Sequence, residues 1–195
     1  RYTVNNKKIN VRKLFYCLNK KYVYLDNAAS TPVFKNVKRD TDMFLKTYGS
    51  IHRGAGPYSK ISTDKYEESR EIIEKFIGAK KGRDVVIFTG NTTEAINKLA
   101  QIFPFEKDDI LLTSDIEHSS NLLPWIKYVK VERFKTDEYY RITPEKIEEE
   151  LKNNHKIRMV SIAGASNLTG LIAPIKEIYE VCKKYKVYLC IDASQ

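Results

Sequence analysis

Apolar residues fall in short blocks along the chain, and the spacing inside each block predicts its conformation. Residues 63–77 place Tyr66, Ile72, Ile73, Phe76 and Ile77 at helical intervals. Asp64 with Glu67 resembles a capping box, and Gly78 is a natural helix stop. Residues 85–88, Val-Val-Ile-Phe, form a continuous apolar run between turn residues, which predicts a buried strand. Gly90, Asn91, Thr92 and Thr93 predict a turn, and a helix follows through Ala95, Ile96, Leu99 and Ala100. Further strands are predicted at 110–112, 129–134, 159–163 and 187–191. Thr143 and Pro144 open a helix as N-cap and first residue. The last helix covers 174–185, with Ile175, Ile178, Tyr179 and Cys182 on one side.

Strands and helices therefore alternate, which predicts an α/β domain with a largely parallel sheet. Such sheets bind ligands outside the carboxyl ends of their strands. The segments to inspect are 89–93, 114–121, 164–167 and 192–195.

Composition narrows the class. Of 195 residues, 42% are hydrophobic and 30% charged, which suits a folded globular protein and disfavours wholesale disorder. No apolar run reaches the ~18 residues needed to span a bilayer. Cys17, Cys182 and Cys190 have no CxxC spacing, so neither a disulfide framework nor a structural zinc site is expected, and a reducing compartment is the simpler reading. The net charge of +9 suggests nucleic acid only if it is spread over a binding face. It is not: residues 1–25 hold seven Lys and Arg and no acid. That segment has the charge of an organelle transit sequence, but it is poor in Ser and reads more simply as a surface segment packing Val11, Leu14, Phe15 and Leu18 on the body. Neither nucleic acid nor membrane is an expected partner.

The strand ends carry polar groups. Gly90 permits a tight turn, and the hydroxyls of Thr92 and Thr93 stand at a helix N-terminus, an arrangement that suits a phosphate or simple capping by Thr92 or Thr93. No Gly-Lys-[Ser/Thr] follows, so this is not a Walker loop. His118 in its loop suits a base, a ligand or a ring that stacks on a cofactor. Asp115 and Glu117 flank it, but no second His lies at i+4, and no metal site is predicted. Asp192 follows the apolar run 187–191 and needs a cation, a polarised N–H or a capping role. No G-x-S-x-G elbow is present, and Gly54-Ala55-Gly56 lacks a third glycine.

The order of the motifs is more specific than any one of them. Tyr24-Leu25-Asp26-Asn27-Ala28-Ala29-Ser30-Thr31-Pro32, Ser50-Ile51-His52-Arg53-Gly54 and Tyr66-Glu67-Glu68-Ser69-Arg70 come first. Phe88 through Asn97, Glu117-His118-Ser119-Ser120-Asn121 with Pro124-Trp125, Ser166 through Gly170, and Asp192-Ala193-Ser194-Gln195 follow. In this order the seven blocks resemble class V aminotransferase-fold enzymes, with cysteine desulfurases and selenocysteine lyases the nearest group. The resemblance implies the large domain of a pyridoxal phosphate (PLP) enzyme of aspartate-aminotransferase-like fold (PLP fold type I). It implies a basic segment at 1–25, substrate-site loops at 26–62 and a partial PLP-binding domain at 63–195, with the rest of that domain and a small domain absent.

Carried onto these positions, the resemblance implies that Thr92 and Thr93 hold the cofactor phosphate and His118 stacks on the pyridine ring. Asp192 would pair with the ring nitrogen, and Gln195 would bond the ring hydroxyl. Asn167 would lie near that hydroxyl and the substrate carboxylate, while Ala28, Ala29 and His52 would border the substrate pocket. The implied reaction takes L-cysteine to L-alanine and moves sulfur to an enzyme cysteine. A homodimer, a sulfur-acceptor protein, iron–sulfur cluster assembly and a cytoplasmic setting (an organelle if a targeting sequence has been removed) are implied with it. Two departures stand out. Asn91 replaces a common Gly, but Asn tolerates a positive φ, so the turn can survive. No Lys matches the family's cofactor lysine and no Cys its persulfide cysteine, so the chain alone is expected to be inactive. Another class V activity, or a non-catalytic module needing a complementary chain, remain the alternative readings.

Overall fold

The computed structural model describes residues 3, 4, 7, 8, 10–18 and 21–195. Arg1 and Lys20 of the basic N-terminal segment lie outside them. The chain forms two compact units, 1–88 and 89–195.

In the first unit, β1 (Thr3–Val4) pairs antiparallel with β2 (Lys7–Lys8), and a 3-10 helix spans Val11–Leu14. Phe15 is buried with its ring 4.3 Å from that of Phe34, whereas Leu14 is exposed. Helix α1 (Lys35–Leu45) buries none of its residues. Helix α2 spans Pro57–Ile77, starting six residues before the predicted 63. Pro57 at its first turn is the true start signal, since its fixed φ suits a helix and its missing N–H costs nothing there. The capping-box reading of Asp64 and Glu67 is therefore wrong. Gly78 does end the helix, in the left-handed region at φ 72°, with Ala79 N–H bonded back to Glu74 O. Ile72, Phe76 and Ile77 of this helix are exposed, and α2 buries Ser59 and Ser62.

Residues 85–88 form no ladder, contrary to the predicted strand. Val86 is buried and its carbonyl accepts from Arg70, while Val85 and Ile87 stand exposed. A strand exists only through a partner, and no described residue pairs with this run.

The second unit is the predicted α/β domain. Its order is α3 (Thr92–Ile102), β3 (Ile110–Ser114), α4 (Ser119–Ile126), β4 (Lys130–Phe134), α5 (Pro144–Asn153), β5 (Ile157–Ala163), α6 (Ile175–Lys184) and β6 (Tyr188–Asp192). The four strands are all parallel, in the order β4-β3-β5-β6. Side chains alternate between the sheet's faces and build two cores. Ile110, Leu112, Val160 and Ile162 pack with Ile147 and Leu151 of α5 and Ile178 and Cys182 of α6. Leu111 and Met159 pack on the other face, with Ile96 and Ala100 of α3 and Trp125 of α4. Among the described residues no helix is long and apolar enough to cross a membrane.

Candidate cofactor site

Because β3, β5 and β6 are adjacent and parallel, their following loops emerge at one edge of the sheet. That edge gathers Ser114 to His118, Gly164 to Asn167 and Asp192 to Gln195, three of the four segments singled out above. Gly164 suits the close approach: a Cβ there would sit tightly, 3.2 Å from Ile191 Cγ2, and its N–H donates to Asp192 O at 2.8 Å.

Asp192 is the buried charge of this edge, 7% exposed. Its Oδ1 accepts from Ser194 N–H (3.1 Å) and Ser194 Oγ (2.5 Å). Oδ2 has no hydrogen-bond partner among the described residues. A buried carboxylate with one oxygen still free to accept suits a ligand N–H or cation. Asp192 pairs in register with Ala163, and Cys190 with Ser161. Alternation puts Asp192 on the same face as Cys190, the face that α3 and α4 cover.

On that face two helix N-termini meet. The N-cap of α3 is Asn91, whose side chain accepts from Glu94 N–H at 2.8 Å. The capping reading of Thr92 or Thr93 is thereby replaced, since Asn91 already satisfies that donor. Both threonines are left exposed, and Thr93 Oγ1 lies 2.8 Å from Ser120 Oγ at the start of α4. Thr93, Ser119, Ser120 and Lys127 line a pocket of about 310 Å³ there. The hydroxyls at two positive helix ends suit an anion such as phosphate, while Leu123, Pro124 and Lys127 extend the pocket along α4. Gly90 N–H is not part of this set: Glu94 takes it at 2.6 Å.

His118 caps α4, its Nδ1 accepting from Ser120 N–H at 3.1 Å. The neutral ring then carries its proton on Nε2. The ring is exposed at the sheet edge, open to a planar ligand. Asn167 and Gln195 are exposed in loops of the same edge.

Beneath lies a polar layer that motif reading missed as a unit. Glu117 accepts from Ser114 Oγ (2.5 Å) and from Asn121 Nδ2 (2.8 Å), and the backbone N–H of Ala163 faces it. Asn121 is wholly buried, and its Oδ1 accepts from Ser161 Oγ (2.7 Å) and Trp125 Nε1 (3.4 Å). Thr113 Oγ1 donates to Ser161 O at 2.8 Å. Burial pushes the Glu117 carboxyl up, these hydrogen bonds pull it down, and the charge of Asp192 adds to the rise. Burial likewise raises the Cys190 thiol. The one sequence signal for the layer was the Glu117–Asn121 spacing beside Trp125.

The remaining predicted residues belong to the first unit. His52 has φ 60°, pairs with Glu67 (Nε2 to Oε1, 3.0 Å) and meets Tyr66 edge-on at 5.8 Å. Glu67 also holds Arg70, whose guanidinium lies over the rings of Tyr66 and Phe88. The Tyr-Glu-x-x-Arg helix and the His52 loop are thus one cluster. Ala28 and Ala29 lie exposed in a turn closed by Ala29 N–H to Asp26 O. Among the described residues no three His, Cys, Asp or Glu stand close enough to hold a metal ion.

Parallel strands with a buried carboxylate and a histidine at their carboxyl ends, beside two helix N-termini, form an α/β arrangement that could hold a planar anionic ligand. A family model for class V aminotransferases matches residues 23–195, and the chain belongs to that family. It is 36% identical, over 95% of its length and 47% of the relative's, to a protein of Borreliella burgdorferi described as a probable cysteine desulfurase. The apo structure of a cysteine desulfurase from Thermococcus onnurineus NA1 superposes with a TM-score of 0.77 at 32% identity, over 88% of this chain and 44% of that one. A structure described as SspA in complex with cysteine superposes at 0.75 with 25% identity, over 87% of this chain and 50% of the other. The chain spans about half the length of the curated relatives it matches.

Proposed function

We propose that the chain is the N-terminal part of a PLP-dependent cysteine desulfurase, which converts L-cysteine to L-alanine and passes the sulfur to an enzyme cysteine. The observation that carries this reading is Asp192, buried at the end of β6 with Oδ1 held by Ser194 and Oδ2 free to accept a pyridinium N–H. The relatives described as cysteine desulfurases and the neighbour described as holding cysteine support the substrate.

The residues fit the cofactor. Thr92, Thr93 and Ser120 hold its phosphate at the two helix N-termini. His118 stacks on the ring, Asp192 keeps a proton at the ring nitrogen, and Gln195 and Asn167 bond the ring hydroxyl. Asn167 also orients the substrate carboxylate. By the resemblance, Ala28, Ala29 and His52 border the substrate. When bound, PLP supplies an electron sink for the substrate's α-carbon. The whole enzyme works as a homodimer in the cytoplasm and hands its sulfur to an acceptor protein for iron–sulfur cluster assembly.

The test uses the full-length gene product. It should show the visible absorbance of protein-bound PLP and release alanine and sulfide from cysteine. Asp192→Ala should lose PLP on dialysis and all turnover. A full-length protein without PLP sinks the proposal. PLP binding with no action on cysteine moves it to another class V activity.

A further inference from the structure

We propose that Glu117 is a positioning residue: its carboxylate ties the loop between β3 and α4 to the end of β5, and so holds His118 in one orientation and one tautomer. The inference rests on the reading of His118 as the residue that meets the cofactor ring. Ser114 ends β3, Asn121 belongs to the first turn of α4, and Ala163 ends β5. One side chain therefore joins three elements at the point where they leave the sheet.

The partners leave Glu117 little choice. Asn121 Oδ1 is taken by the Ser161 hydroxyl and the Trp125 N–H, both of them donors to it. Its amide cannot flip without setting N–H against N–H, so Nδ2 must face Glu117. Position 117 must therefore present an acceptor. Ala163 N–H, a backbone donor, makes the same demand. The residue that follows is His118, and its ring is fixed a second time by Ser120 N–H on Nδ1. With the backbone pinned on one side by Glu117 and the ring on the other by Ser120, the Nε2–H tautomer and the ring plane are set before any ligand arrives.

The other groups that face Glu117 are Asp192 and Cys190 from β6. Neither is a cation, so the charge of Glu117 is not what recommends it there. Its value is as an acceptor, and a neutral acceptor of the same shape should replace it. In Glu117→Gln the amide oxygen faces Asn121 and the NH2 faces the Ser114 hydroxyl, which can accept.

The test compares the full-length protein with Glu117→Gln, Glu117→Ala and Glu117→Asp. Histidine ring 15N signals report the tautomer, with His118→Asn used for assignment. PLP affinity by fluorescence titration and thermal midpoint are measured alongside. Glu117→Gln should keep the Nε2–H signature and a Kd for PLP within about twofold of wild type. Glu117→Ala should move the two His118 nitrogens toward averaged shifts and weaken PLP about tenfold, the loss of one good hydrogen-bonded anchor. If Glu117→Ala does not fold, Glu117→Asp, too short to reach Asn121 and Ala163 together, should show the same averaging. An unchanged His118 signature in the folded Ala or Asp variant overturns the proposal. So does a Gln variant that averages like Ala while its thermal midpoint is kept. A wild type that binds no PLP defeats the functional reading alone, because the tautomer comparison needs no cofactor.

Discussion

Asn121 shows how much one buried amide can organise. It serves Glu117, Ser161 and Trp125 at once, from a position with no exposure to solvent. Leucine fills a similar volume but offers no polar atom. Asn121→Leu should leave a hydroxyl, an indole N–H and a carboxylate oxygen unpaired, and cost about 3 kcal/mol or more in urea unfolding. A loss below about 1 kcal/mol would mean that the network is not sealed from water. The cysteines differ just as sharply. Cys17 is exposed, whereas burial pushes the Cys182 thiol up to about 11. An alkylating reagent at about pH 8 should modify Cys17 in the native protein and Cys182 only after unfolding. The sign of the pH effect follows from the same shift. The folded state disfavours the Cys182 thiolate, so its contribution to stability is full below the ordinary value of 9.0 and falls as pH rises towards about 11.

At the scale of elements, the caps set the boundaries. Thr143 accepts from Lys146 N–H at 3.3 Å and Pro144 opens α5, as its sequence predicts. Thr143→Ala should cost about 1 kcal/mol, and Asn91→Ala a similar amount, while Thr92→Ala should leave unfolding unchanged. Measured by denaturant unfolding, that order separates an Asn91 cap from a Thr92 cap. Lys186 follows α6 at φ 58°, a conformation that suits glycine. Lys186→Gly should raise stability by up to about 1 kcal/mol, seen as a higher unfolding midpoint. These ends explain what could be read in advance. The strands and helices of 89–195 are legible because each apolar run carries its own turn or cap, and all four predicted strands after residue 100 are found to within a few residues. The start of α2 is not legible in the same way, because Asp64 and Glu67 mimic a cap that Pro57 makes unnecessary. The same holds for the candidate site. Asp192 and His118 could be singled out from their places after strands. The role of Glu117 and Asn121 could not, because Asn121 finds Ser161 40 residues away, across a sheet whose strand order no local spacing contains.

The whole molecule poses a different question, which residues 85–88 bring into focus. The run has strand composition, yet it pairs with no described residue, and Val85 and Ile87 are 78% and 71% exposed. Two β-branched side chains turned to water on an extended apolar run are costly to leave there, since each forgoes roughly 1.5–3 kcal/mol of burial. Arg70 holds the run by one carbonyl, that of Val86, which does not satisfy a strand's row of N–H and C=O groups. The neighbouring helix repeats the pattern, with Phe76 and Ile77 exposed at the end of α2. The relatives that the chain matches are about twice as long as the part it covers. A partner strand supplied by the rest of a full-length protein would satisfy both the backbone and the apolar side chains of this run. The prediction is therefore a difference between two molecules. In hydrogen exchange, the amides of residues 85–88 should exchange freely in the 195-residue chain and be protected in the full-length protein, while those of β3 and β5 are protected in both. Equal exchange at 85–88 in the two would show that the run is a loop by its own nature, and that its strand-like composition serves the contact with Arg70 instead.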